Sequence, residues 1–111
     1  MNPAVDLTNL NDMIGDDPDL RAELFKEFIK SSEASLAILR ANCDEGAQET
    51  WRKESHSMKG ISLNLGAEAL GELCKTAQEH YTSSVAAKHD LLSKIEIEYS
   101  HVKDFLLSEG A

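Results

Sequence analysis

Four residues of this 111-residue chain have the types and the spacing to do chemistry together: His56, Lys59, Gly60 and Gln78. An imidazole with an ordinary pKa of about 6.5 is largely neutral at cell pH, so one ring nitrogen keeps a free lone pair. Lys59 lies three positions on, within reach of an anion carried by that ring. Gly60, four positions on, costs a helix interior roughly 1 kcal/mol relative to alanine. On an exposed face no internal packing demands it, and it leaves the approach to the imidazole clear. Leu63, one further turn along, offers an apolar group to an incoming surface. The combination suggests phosphate handling at a docking surface.

A helix must hold these groups. With Trp51 at the centre of the buried face and about 100° per residue, Ser55, Met58, Ser62 and Leu65 fall within about 40° of it and form a core stripe. His56, Lys59, Gly60 and Leu63 fall on the other side, with Arg52. This third helix follows the turn "CDEGAQ", where Asp44 is the expected cap, and ends near Leu65 with Gly66 as terminus. A fourth helix begins at about Ala67, with the stripe Ala67, Leu70, Cys74, Ala77 and Tyr81. His56 lies ten residues before Gly66 and Gln78 twelve after it. In an antiparallel hairpin their heights differ by only about two residues, roughly 3 Å. The Gln78 amide is therefore placed to accept a hydrogen bond from one imidazole nitrogen, leaving the other free to attack. An ordinary surface amide is the competing reading. Gly71, also within the fourth helix, is expected to serve close helix packing.

The other elements follow from punctuation and period. A short helix is expected over about Asp6–Ile14, with Leu7, Leu10, Met13 and Ile14 at helical spacing. "GDDPDL" supplies a break and a start: Asp17 caps, Pro18 suits the first helical position and Asp19 favours the positive end of the dipole. The second helix is expected from about Pro18 to Asn42, with Leu24, Phe25, Phe28, Leu36 and Leu39, and Ser32 and Ser35 on the same side. "TSS", Thr82 to Ser84, is a turn with N-cap residues. The fifth helix carries Leu92, Ile95, Tyr99, Val102 and Leu106 in alternating steps of three and four. The fold class expected is all-α: an antiparallel four-helix bundle with a short additional N-terminal helix across one end, residues 1–111 forming one domain.

Composition excludes several functions. There are 20 acidic and 11 basic residues, a net charge of -9, which repels phosphate backbones and anionic membranes. Cys43 and Cys74 form no CxxC motif and read as reduced, partly buried thiols. Neither a signal peptide nor a membrane-spanning run is visible. A cytoplasmic monomer is expected. His80, His89 and His101 form no i, i+4 pair and no HExxH, so no metal site is expected and all three read as surface residues. No nucleotide loop, catalytic triad or carboxylate pair supports an enzyme with its own active site.

The stretch "HSMKGISLNLGAEAL" resembles the signature of histidine-containing phosphotransfer (HPt) domains. The match covers His56, Met58, Lys59, Gly60, Ser62, Leu65, Gly66, Ala67 and Leu70. The upstream "ELFKEF" and the downstream pair Leu73–Cys74 also look like the family. Ser55 stands where many members carry alanine.

That resemblance implies a helical bundle that relays phosphate between the aspartates of receiver domains in a multistep phosphorelay. His56 would be phosphorylated through Nε2, Lys59 would steady the phosphoryl oxygens, and Gln78 would orient the ring through Nδ1. Gly60, Leu63 and Arg52 would border the docking surface, with Leu10, Met13, Ile14 and Phe25 from the first two helices. The partners implied are receiver domains of response regulators and of hybrid histidine kinases. The chain would be a phosphocarrier and not an enzyme, without a cofactor of its own, the Mg²⁺ sitting on the receiver. The alternative is an HPt-like adaptor that binds a receiver or kinase without phosphotransfer.

Overall fold

The computed structural model describes residues 4–15 and 17–111, so Pro3 and Asp16 lie outside the described residues. The elements are α1 (Thr8–Ile14), α2 (Pro18–Ala41), a 3-10 turn (Glu45–Ala47), α3 (Gln48–Leu65), α4 (Glu68–Glu79) and α5 (Val85–Ser108). Helices α2 to α5 close a bundle in which α2 meets α3 and α5, and α4 meets α3 and α5. The expected all-α bundle with its short N-terminal helix is the fold observed.

The helix starts follow from side-chain caps. The Asp17 carboxylate accepts from Asp19 N and Leu20 N, both at 3.1 Å, and Pro18 opens α2. Ser84 Oγ accepts from Ala87 N at 3.2 Å and starts α5. Asp44 does not cap α3, contrary to the sequence expectation. It precedes the 3-10 turn and makes no side-chain cap bond, and α3 begins three residues later than that turn's own start.

The α3–α4 turn carries the sharpest local constraint. Gly66 has φ of 100°, and Ala67 N and Gly66 N both return to Ser62 O, at 2.9 and 3.2 Å. This left-handed closure favours glycine. The preceding N-terminal segment also runs across it, with Asp6 N donating to Gly66 O at 2.9 Å. A Cβ at Gly66 would sit 1.9 Å from the Asp6 carbonyl oxygen. Gly66→Ala is therefore expected to cost at least about 2 kcal/mol, from positive φ plus displacement of the crossing segment. Urea denaturation measures the loss, and faster proteolysis within residues 4–14 reports the displacement.

The core stripes are those the periods implied. Trp51, Ser55, Met58, Ser62 and Leu65 are the five buried residues of α3. Ala67, Leu70, Cys74 and Ala77 are fully buried, as are Ile95, Val102 and Leu106 of α5. Tyr81 lies after α4 and is only partly buried, packed against the core. Leu24 departs from expectation: it is 36% exposed, because the α2 stripe is centred on Phe25 and Phe28 instead. Lys88 is the surprise. It extends the apolar α5 stripe one turn towards the N-terminus, is fully buried, and places Nζ 5.4 Å from the Trp51 ring centroid.

Polar bonds between helices fix the bundle laterally. Trp51 Nε1 donates to Ala77 O at 2.8 Å across α3 and α4. Between α2 and α5, Tyr99 Oη and Lys103 Nζ both donate to Glu33 Oε2, at 2.9 and 2.7 Å. The lysine and tyrosine donors hold the Glu33 carboxyl below its usual range, while burial raises the Tyr99 hydroxyl above its own. Both cysteines are free and buried. Burial pushes the Cys74 thiol up to about 12, which suppresses the reactive thiolate.

Candidate functional site

The site lies along the outer seam between α3 and α4. Three contacts define how the two helices run past each other there. The Arg52 guanidinium lies over the Tyr81 ring at 5.9 Å. His56 Nδ1 meets Gln78 Oε1 at 3.3 Å. Leu63 covers Gly71, where a Cβ would come within 2.5 Å of Leu63 Cδ2. Gly71 thus permits close helix packing, as the sequence reading expected. His56–Gln78 and Leu63–Gly71 share one antiparallel register, and Arg52–Tyr81 falls one position off it, past the end of α4.

The His56–Gln78 contact has a chemical consequence. A carbonyl oxygen only accepts, so the bond requires the proton on Nδ1. With the Gln78 carbonyl oxygen facing Nδ1, Nε2 is the nitrogen left with the lone pair, on an exposed residue. On the buried side of α3, Ser55 Oγ donates to Trp51 O at 2.7 Å, and Trp51 ties α3 to α4 through Ala77 O, the residue before Gln78.

Lys59 is half-buried at the seam, one turn below His56. Among the described residues it makes no ion pair, and the same holds for Lys53 and Lys75. Arg52 differs. Its Nε and Nη2 donate to the two Glu49 carboxylate oxygens at 3.1 and 2.9 Å. That pairing lowers the Glu49 carboxyl and raises the guanidinium from their ordinary values. Arg52 therefore borders the seam with its donors already engaged on one side. In a chain of net charge -9, Lys53 and Lys59 each stand three positions from His56 on α3 and are unpaired among the described residues.

Gly60 faces open space, with nothing within 4 Å of where a Cβ would stand. Internal packing does not require it. Gly60→Ala is expected to stabilise the fold by roughly 0.5–1 kcal/mol, by removing the glycine entropy cost in a helix interior. The sign is read from the urea midpoint. A loss of stability would mean that the glycine serves the fold.

A separate apolar groove of about 460 Å³ lies between α1, α2 and the C-terminal half of α3, and none of His56, Lys59, Gly60 and Gln78 lines it. Met13 and Ile14 of α1, Leu20, Leu24 and Phe28 of α2, and Ile61 of α3 line it. Met13 is 74% exposed and Leu63, near the seam, 44%. Leu10 is 6% exposed and supplies the groove floor more than a contact surface. Phe25 corrects the sequence expectation: it is fully buried, with the Arg21 guanidinium 5.5 Å from its ring centroid, and has no surface to offer a partner. Leu20 and Ile61, which the sequence reading did not single out, line the groove. Leu20 and Leu24 are one turn apart on α2, and that i, i+4 apolar pair beside the core stripe was the available signal.

Of the other histidines, His80 is exposed, with Nδ1 on Thr76 O at 2.8 Å, and His89 and His101 are exposed on α5. Among the described residues no helix is long and apolar enough to cross a membrane. No curated protein and no solved structure matches the chain. The Hpt domain family model does match, over residues 23–105, which takes in α3, α4, the turn at Gly66 and most of α2 and α5. The chain therefore belongs to the Hpt domain family, whose role is histidine phosphotransfer in two-component signalling.

Proposed function

We propose that this protein is a phosphocarrier that takes a phosphoryl group from the aspartyl phosphate of one receiver domain onto His56 Nε2 and gives it to the aspartate of another. The observation that carries this reading is the 3.3 Å contact between His56 Nδ1 and Gln78 Oε1, on a ring whose other nitrogen is exposed.

The step balances without proton transfer. The Nε2 lone pair attacks phosphorus, the P–O bond to the aspartate breaks, and the carboxylate leaves with the bonding pair. The ring keeps its Nδ1 proton and gains positive character, which the Gln78 carbonyl dipole stabilises. Delivery is the reverse, with the second aspartate as nucleophile. Phosphoryl transfer needs mainly positioning and charge stabilisation, and the Lys59 ammonium steadies the phosphoryl oxygens. The receiver supplies the acidic pocket and the Mg²⁺, so this chain needs no cofactor of its own.

Docking uses the face around the ring. Gly60 clears the approach, Leu63 and the aliphatic margin of Arg52 border it, and the groove of Met13, Ile14, Leu20 and Leu24 receives apolar side chains of the receiver. The chain acts as a monomer in the cytoplasm, where receivers and the cytoplasmic parts of hybrid kinases reside.

Mixing the protein with a phosphorylated receiver and Mg²⁺ tests the reading. Acid-labile, alkali-stable phosphate should appear on this chain and map to His56. Stable receiver binding with no phosphate on the chain would favour an adaptor instead.

A further inference from the structure

The register of the α3–α4 seam assigns a partner to every outward position, and one assignment lies outside the signature that marks His56. Going three residues on from His56 and three back from Gln78 leads to Lys59 and Lys75. Going seven on and seven back leads to Leu63 and Gly71, which do meet. On the other side of His56 the Arg52–Tyr81 contact falls one position off that register, just beyond the end of α4. Lys59 and Lys75 are therefore level with each other across the seam, about 4.5 Å along the axis from the imidazole. Lys75 is exposed on the outer side of α4, and among the described residues its ammonium has no carboxylate within ion-pairing distance.

Building on the reading of His56 as the phosphorylated residue, we infer that Lys75 is a second phosphoryl-binding cation, acting from α4 opposite Lys59. The ring is held with Nδ1 against Gln78, so a phosphoryl group on Nε2 extends outward over the seam. Lys59 flanks it from α3, at the half-buried inner edge. Lys75 flanks it from α4, on a long flexible stem that reaches across. The groups bearing on that phosphoryl are then Lys53, Lys59 and Lys75, with Arg52 held by Glu49, and Glu72 and Glu79 one turn either side of Lys75 on α4. Two helices gripping the oxygens from opposite sides fix the phosphoryl direction as well as its charge, which one lysine on the histidine's own helix does not achieve.

The test loads His56 without a receiver. Phosphoramidate is the phosphoryl donor: its P–N bond breaks, ammonia leaves, and the new N–P bond forms at Nε2. The phosphohistidine ³¹P signal is then titrated with pH in wild type, Lys75→Ala, Lys75→Arg, Lys59→Ala and, as a remote control, Lys94→Ala. A nearby cation favours the dianion. Lys75→Ala should therefore raise the second phosphoryl pKa by about half a unit, the size of one exposed ion pair. Lys75→Arg should restore it, Lys59→Ala should shift it in the same direction, and Lys94→Ala should leave it unchanged. A Lys75→Ala curve superimposable on wild type, with phosphate present, overturns the role of Lys75 and leaves that of His56 standing. No phosphohistidine on wild type overturns the His56 assignment, and the Lys75 role with it.

Discussion

His56→Gln is expected to reduce phosphoryl acceptance from a phosphorylated receiver to background, a loss of at least about a thousandfold. Glutamine approximates the reach of histidine but its amide nitrogen is not a nucleophile, so no N–P bond can form. The fold should hardly notice. The ring is exposed and its one bond to Gln78 is solvent-facing, so stability should move by no more than about 0.5 kcal/mol. His80, His89 and His101 remain in the variant and serve as internal controls, since each is exposed. Radiolabel from the phosphorylated receiver, chased over time, gives the rate. Label on the variant at the wild-type rate would move the site to one of those three and remove the basis for the roles of Lys59 and Gln78. Lys59→Ala, by contrast, should slow transfer only modestly, because a single lysine at a solvated site contributes about 1 kcal/mol.

Trp51→Ala carries the largest expected effect on stability. The side chain is fully buried, its Nε1 donates to Ala77 O at 2.8 Å, and it lies beneath the Lys88 ammonium. Truncation leaves a cavity and removes both partners, for a cost of about 4 kcal/mol. A domain of this size has about 5–15 kcal/mol in total, so the melting temperature should fall by about 20 °C. The same bond ties α3 to α4 at Ala77, the residue before Gln78. Ala77 O keeps one acceptor bond, from His80 N at 3.2 Å, so α4 itself should persist while its hold on α3 loosens. Trp51→Phe, which keeps most of the apolar area and loses only the donor, should cost about 1–2 kcal/mol. Urea titrations of the three proteins give the ranking, and a loss under about 1 kcal/mol for Trp51→Ala would show that the indole is not the anchor of this seam.

The site and its scaffold were legible in the sequence to different depths. The α3 stripe was readable because five small and large residues at helical spacing had to share a buried side, which left His56, Lys59 and Gly60 outward. The hairpin count around Gly66 brought Gln78 level with His56, since two antiparallel helices of fixed rise have few ways to meet. Gly60 and Gly71 looked alike as glycines in helix interiors. The helical wheel had set Gly60 outward and left Gly71 to close packing, and the neighbouring helix agrees: open space faces the first, and Leu63 lies on the second.

Period therefore determined which residues share a face and that the chain is a helical bundle with His56 on an outward side of α3, while capping residues marked the starts of α2 and α5 and failed for α3. It did not determine depth. Phe25 and Leu24 are adjacent in the chain and both apolar, yet one is fully buried and the other lines a groove, because the neighbouring helices cover one side of α2 and leave the other open. Lys88 is buried in an apolar stripe, its Nζ without a hydrogen-bond partner among the described residues and facing the Trp51 ring of another helix, a placement no period shows. Lys75 gained meaning only when α4 was set against α3 in register. Contacts across helices depend on packing angle and axial offset, and a single helix carries neither in its own sequence pattern.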